Sequence, residues 1–229
     1  TNIHNCQLKK VNRKEKKMKL ITFQSLEALK YLINHGYLIC DETYINQEKY
    51  GYAYNFITTN MAKKINREAN IKYPIWCWVK CYNGICPNKH KGQRVEGFDV
   101  KITFEKDEHE VFITDYRRYS FVLNNLYLPK SLNDKKQFER EQKKAQATND
   151  KLLGQKLISK IKKSHLRCIT TDSNILQGTI WKLNLSDVIK IELLPHDGYV
   201  YGSLNYPLKN GNRISWPQQF YKIIATKKD

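Results

Sequence analysis

Several polar side chains of this sequence stand inside apolar stretches, where a side chain either does chemistry or must be satisfied from within. Gln24 and Ser25 close the run Leu20-Ile21-Thr22-Phe23, and Gln177 and Thr179 enter the later run that continues through Ile180 and Trp181. Asp115-Tyr116-Arg117-Arg118-Tyr119 follows another apolar stretch, and Asn124-Asn125 interrupts a third. A buried polar group without a hydrogen bond costs a few kcal/mol, on the order of 1–3 in proteins. Polar groups gathered at strand ends therefore point to a shared cleft. The alternative is internal satisfaction: an Arg-Asp pair locking a loop, and amides bonding stray backbone.

A second constellation, Cys77, Cys81, Cys86 and His90, has the composition of a zinc site but not its spacing. No CxxC pair is present, and Cys77 lies between Trp76 and Trp78 in a strand-like run, so small packed cysteines and no metal are expected. A phosphate-cradling glycine loop, a GxSxG elbow and an HExxH helix are all lacking, which argues against hydrolases of those types. His35, His109 and His196 sit beside glycine or acidic residues and read as solvated turn residues.

The elements that position these residues follow from period and caps. Leu20–Gln24 reads as a strand, Ser25 as the N-cap of a helix carrying Leu26, Leu29, Leu32 and Ile33, and Gly36 as its end. Tyr37 to Cys40 resumes as a strand. Tyr50, Tyr54, Ile57, Met61 and Ile65 form one stripe on a second helix. Pro74–Cys81, Phe98–Phe104, Glu110–Thr114, Thr179–Leu185, Val188–Leu194 and Tyr199–Tyr206 read as strands, with Asn83-Gly84 and Pro87-Asn88 as loops. Tyr119 to Leu128 fits helix or strand, and Lys135 to Lys163 reads as helical, peripheral and mobile. The expected fold is one α+β domain over 18–229, a mixed, mainly antiparallel sheet with flanking helices. Residues 1–17 are a basic tail or extension, and 130–167 a basic helical insertion.

The net charge of +18 is uneven. Residues 1–19 hold seven Lys/Arg against one Glu, and 130–167 hold twelve against four, so +14 lies in two segments. Such local charge is an electrostatic footprint for phosphates, with Lys160, Lys162 and Lys163 as candidate nucleic-acid contacts. The bland reading is codon bias in a Lys-, Asn- and Ile-rich chain. No run approaches the roughly 20 apolar residues of a spanning helix. No export signal is read, and six unevenly spaced cysteines suit reduced thiols, so a cytoplasmic protein is expected.

Met18 to Tyr44, with Tyr73-Pro-Ile-Trp-Cys-Trp, Tyr119-Ser-Phe-Val-Leu-Asn-Asn-Leu-Tyr and Leu176-Gln-Gly-Thr-Ile-Trp-Lys-Leu, resembles an uncharacterised bacterial domain-of-unknown-function family over most of residues 18–225. A second resemblance, in Leu20 to Leu38 and in Leu176 to Ile189, is to ADP-ribosyltransferases, especially toxins that modify nucleic acid. It implies an ADP-ribosyltransferase-like core that binds NAD. Gln24, Ser25 and Tyr54 would then seat the nicotinamide ribose, Arg117 or Arg118 the pyrophosphate, and Gln177 with Thr179 would line the reacting face. Gln24 replaces the family's His or Arg and Thr179 its glutamate, so either another carboxylate, such as Asp172 or Asp115, supplies the negative charge or the fold binds without this chemistry. A toxin or phage-defence role follows from this resemblance. The competing readings are a non-catalytic nucleic-acid-binding module and a protein bound by an acidic, antitoxin-like partner.

Overall fold

The computed structural model describes residues 16–81 and 99–193. Its elements run β1 (Lys17–Gln24), α1 (Leu26–His35), β2 (Tyr37–Leu38), α2 (Gln47–Ala62), β3 (Ile75–Lys80), β4 (Val100–Asp107), β5 (Phe112–Asp115) and α3 (Tyr116–Leu123). Then come α4 (Leu132–Thr148), α5 (Lys151–His165), β6 (Leu176–Ile180), β7 (Leu183–Asn184) and β8 (Val188–Leu193). Six strands form one sheet in the order β5-β6-β3-β1-β4-β8, every neighbouring pair antiparallel, while β2 and β7 pair separately. The architecture is α+β with a mainly antiparallel sheet. Among the described residues no helix is long and apolar enough to cross a membrane.

Strand alternation gives the sheet two buried faces. Leu20, Ile102, Phe104 and Ile180 share one face with Leu29 and Leu32 of α1. Phe112 lies on the other, with Ala53, Ile57 and Met61 of α2 and with Tyr119 and Val122 of α3. Helix α1 starts where Ser25 Oγ accepts the Ala28 N–H at 3.1 Å, and it ends where Gly36, at φ 78°, donates to the Leu32 carbonyl at 2.9 Å. The left-handed conformation there suits glycine. The Gly36 carbonyl accepts the Leu185 N–H at 2.8 Å, which ties the end of α1 to the β2–β7 ribbon.

Several boundaries differ from the sequence reading. Tyr119–Leu128 resolves as helix α3 and a turn through Asn125 at φ 49°, because Asp115 Oδ1 accepts the Arg118 N–H at 2.7 Å and starts a helix four residues before the ambiguous stretch. Lys17 belongs to β1, not to a tail. The strand expected over Thr179–Leu185 divides into β6 and β7. The 1–15 part of the tail, the loops at 83–88, Cys86, His90, His196 and the strand expected at Tyr199–Tyr206 lie outside the described residues.

The basic segment 130–167 is an α4–α5 hairpin, broken at Asn149 (φ 50°) and restarted by the Asp150 cap. Its far end is not peripheral. Ser164 and His165 are buried, the Leu128 N–H donates to Ser164 Oγ at 2.9 Å, and His165 bridges the Tyr52 hydroxyl and the Leu126 carbonyl, each at 2.8 Å. Burial holds the His165 imidazole below its ordinary pKa, which favours the neutral ring between these two partners.

Gly178 sits mid-sheet where β3 and β5 flank β6. A Cβ there would meet Val111 Cγ1 at 2.8 Å, Cys77 Sγ at 3.0 Å and Val79 Cγ2 at 3.0 Å. Gly178→Ala is expected to lower stability by about 1–3 kcal/mol, the usual range for overpacking, measured by urea denaturation. An unchanged midpoint would show that the Val111 side chain and β3 can both give way.

Candidate functional site

Strands β1 and β3 are paired at Ile21–Trp78 and then part. Beyond that point the Trp76 carbonyl receives its hydrogen bond from the Thr22 hydroxyl at 2.8 Å, and Thr22 Oγ1 in turn accepts from Gln24 Nε2 at 2.7 Å. A cavity of about 690 Å³ opens where the strands separate. That volume lies within the roughly 300–1,000 Å³ common for small-molecule sites.

Phe23, Gln24 and Ser25 of β1 and its end form one side, with Glu27 and Tyr31 of α1 above them. The stretch Leu38–Asp41 closes a second side, and Trp76 and Trp78 of β3 with Gln177 of β6 form the third. Helix α3 braces the two tryptophans. Tyr119 packs on Trp76 with ring centroids 5.0 Å apart, and Tyr116 on Trp78 at 5.2 Å. The Tyr119 hydroxyl donates to the Ala53 carbonyl of α2 at 3.1 Å, and burial pushes its pKa far up, so it stays a neutral structural donor.

Glu27 and Asp41 bring acid to the cavity, and among the described residues no Lys or Arg lines it. The Thr43 N–H and hydroxyl both donate to Asp41 Oδ1 at 2.8 Å, and these bonds hold the Asp41 carboxyl below its ordinary value. It is ionised at neutral pH. Burial, helped by the Asp41 charge, pushes the Cys40 thiol up to about 11, and burial pushes Cys77 still further. Neither cysteine offers a thiolate at neutral pH. The described residues contain no group of three or more His, Cys, Asp or Glu arranged to hold a metal ion.

The family described as "Domain of unknown function (DUF3841)" matches residues 19–189, from the start of β1 into β8, and so takes in every strand that builds the cleft. The chain belongs to that family. No curated protein and no solved structure matches it.

Within this DUF3841 domain the polar residues singled out by sequence divide into two sets. Gln24, Ser25 and Gln177 line the cleft. Thr179 does not: it is fully buried, its hydroxyl donates to the Phe112 carbonyl at 3.3 Å, and the register sets it beside Trp76 on the face opposite Gln24. Strand β3 lies between β1 and β6, so those two strands are not neighbours. Asp172 is exposed in the loop before β6 and is absent from the lining. Tyr54 stands outside the lining, its pKa raised by burial with Cys40 and Trp76 as neighbours, and its ring meets Tyr73 edge-on at 5.7 Å.

Arg117 and Arg118 do not reach the cleft either. Arg118 donates to the Arg167 carbonyl at 3.3 Å and lies 3.9 Å from Asp115, a pair within the first turn of α3 and not one that locks a loop. Asp115 is spent as the α3 cap. Lys160 is bound to Glu141 at 2.9 Å and lies over the stacked Tyr127 and Phe138 rings, whereas Lys162 and Lys163 are exposed.

Sequence reasoning missed Phe23, Trp76, Trp78, Glu27 and Asp41 as cleft residues. The tryptophans carried a signal, two large aromatics flanking a small Cys77, while Glu27 in the first turn of a helix and Asp41 just past a strand stand where acidic residues are commonplace. Cys40 supplies a probe of the cleft. Its alkylation by iodoacetamide is expected to be slow at pH 8, where roughly one thiol in a thousand is ionised, and to rise about tenfold per pH unit towards pH 11. Mass spectrometry of the Cys40 peptide follows this rise; fast labelling at pH 7 would contradict the buried environment.

Proposed function

We propose that this domain binds NAD with the nicotinamide ribose in the cleft and transfers ADP-ribose to a nucleic acid held by its basic helices. One observation carries the reading: a single cavity gathers the polar end of β1 (Gln24, Ser25), the polar start of β6 (Gln177), two tryptophans and two carboxylates. The first two of these are the places where the resemblance to ADP-ribosyltransferases puts the NAD-binding residues. Of the strand-helix-glycine turn from Leu20 to Leu38, Phe23, Glu27, Ala28, Tyr31 and Leu38 also line the cavity.

The residues suit the chemistry. In glycosidic cleavage the C1′–N bond breaks with its electron pair going to the pyridine nitrogen, and positive charge passes from the ring to the ribose. Neutral nicotinamide leaves, and an acceptor atom of the target bonds C1′ and gives its proton to solvent water. Glu27 and Asp41 supply fixed negative potential for that charge throughout, the part that neither Thr179 nor Asp172 is placed to play. Trp76, half-buried in the lining, offers a stacking surface that keeps water from the reacting bond, and the Gln177 amide can fix a ribose hydroxyl or the carboxamide by hydrogen bonds. The exposed Lys143, Lys144, Lys151 and Lys156, with Lys162 and Lys163, make the α4–α5 hairpin the place for a polyanion.

Incubation of the chain with labelled NAD and DNA or RNA tests the reading, with label expected on the nucleic acid. Gln177→Ala is expected to cut transfer at least tenfold, whereas Thr179→Val leaves transfer intact and costs about 1 kcal/mol of stability, the worth of one hydrogen bond. Absence of transfer to any acceptor, with the chain folded, would leave a non-catalytic binding module in its place.

Charge on the hairpin has its own test. Lys162→Gln with Lys163→Gln is expected to flatten the dependence of log affinity on log salt by about 0.7–0.9 for each phosphate that the variant no longer neutralises. Lys160→Gln is expected to loosen α4 from α5 first, because its ammonium is committed to Glu141. Filter binding across a salt series measures the slopes, and an unchanged slope in the double variant moves the nucleic acid off α5.

A further inference from the structure

Resting on the assignment of the cleft as the ligand site, we infer that it selects a planar heteroaromatic cation and discriminates against the same ring without charge. The chain as a whole holds 40 Lys and Arg against 22 Asp and Glu, yet the described lining of this cavity holds Glu27 and Asp41 and neither Lys nor Arg. The local sign is reversed where the ligand would sit.

The walls match the charge. Trp76 and Tyr31 are the aromatic residues of the lining that are not buried, and the face of an aromatic ring attracts a cation through its quadrupole; Phe23 and Trp78 are buried. Neither tryptophan is free to turn away, since Tyr119 and Tyr116 of α3 pack against them at 5.0 Å and 5.2 Å. Asp41 is fixed by its two bonds from Thr43, so its charge is already in place before a ligand arrives. A neutral ring would gain the stacking but not the electrostatic attraction, and a phosphate would meet repulsion.

Two ligand sources share this chemistry: the pyridinium ring of oxidised NAD and a purine of a nucleic acid methylated at a ring nitrogen, as in 7-methylguanine, each flat with a positive charge on the ring. If the source is the dinucleotide, its product nicotinamide is neutral. The cleft would then release it readily, and nicotinamide would inhibit weakly while N-alkyl pyridinium ions inhibit well.

The test is a ligand-observed NMR titration of the full chain with 1-methylnicotinamide against nicotinamide, and with 7-methylguanosine against guanosine. At least one cation is expected to bind tenfold or more tighter than its neutral counterpart. Glu27→Gln is expected to remove most of that ratio while leaving the neutral ligand within about twofold, and Trp76→Ala to weaken both. Asp41→Asn is a second charge variant, with circular dichroism confirming that each is folded. Equal affinities within both pairs, or a ratio unchanged in folded Glu27→Gln and Asp41→Asn, would overturn the inference. A larger ratio for 7-methylguanosine upholds it and assigns the source to a methylated base. Discrimination without transfer of labelled ADP-ribose upholds the cation site and sinks the transferase reading; transfer without discrimination does the reverse.

Discussion

Where two paired strands part, their inward-facing backbone groups lose partners, and in a buried sheet each loss must be made good. The Thr22 hydroxyl does this for the Trp76 carbonyl, and the Gln24 amide continues the chain to Thr22. Thr22 is almost fully buried, so water is a poor substitute there. On its other side β1 stays paired with β4 all the way to Gln24–Val100, so the opening is confined to the seam with β3. That seam explains how residues from opposite faces of one sheet meet in one cavity. Gln24 belongs to the α1 face and Gln177 to the other, yet both line the space that the parted strands leave.

Helix α3 makes the opening durable. Its cap, Asp115, is the last residue of β5, so the helix is rigidly joined to the sheet edge it braces. One turn presents Tyr116 to Trp78 and Tyr119 to Trp76, while Arg118 reaches back to the carbonyl of Arg167 just beyond α5. The basic hairpin is thereby connected to the cleft wall through one short helix. His165 and Ser164 anchor the same end of α5 to the loop after α3.

Elements with a local signal were legible in the sequence. The Ser25 cap, the helical spacing of Leu29 and Leu32 and the glycine at 36 place α1 without any tertiary information, and the period-four stripe from Tyr50 to Met61 places α2. The start of α3 was not legible, because it depends on whether Asp115 serves as a cap or as a charge partner, and only the fold decides that. The site was half legible for a similar reason. Gln24, Ser25 and Gln177 stood out as polar residues at strand ends, and so did Thr179, but alternation within a strand does not reveal which strands are neighbours. Strand β3 separates β1 from β6, and Thr179, on the same face as Gln177, is fully buried with its hydroxyl spent on the Phe112 carbonyl. Trp76 and Trp78 were not singled out for the cleft, because a gap between strands is a feature that no single strand's pattern encodes.

The distribution of charge gives the two readings of the molecule, enzyme and nucleic-acid binder, a common physical frame. A polyanion and a flat cation cannot be served by one electrostatic environment. The basic helices α4 and α5 would draw phosphates to one surface, while Glu27 and Asp41 keep them out of the cleft, so a nucleic acid backbone could lie on the domain without occupying the cavity. Because Asp41 is preset by Thr43 and the tryptophans by α3, little reorganisation is left for a ligand to bring about, and discrimination then falls to the charge and shape of the ring itself. On the reading proposed above, the opening between β1 and β3 supplies the room, and Glu27 and Asp41 in its lining would set the sign of what enters.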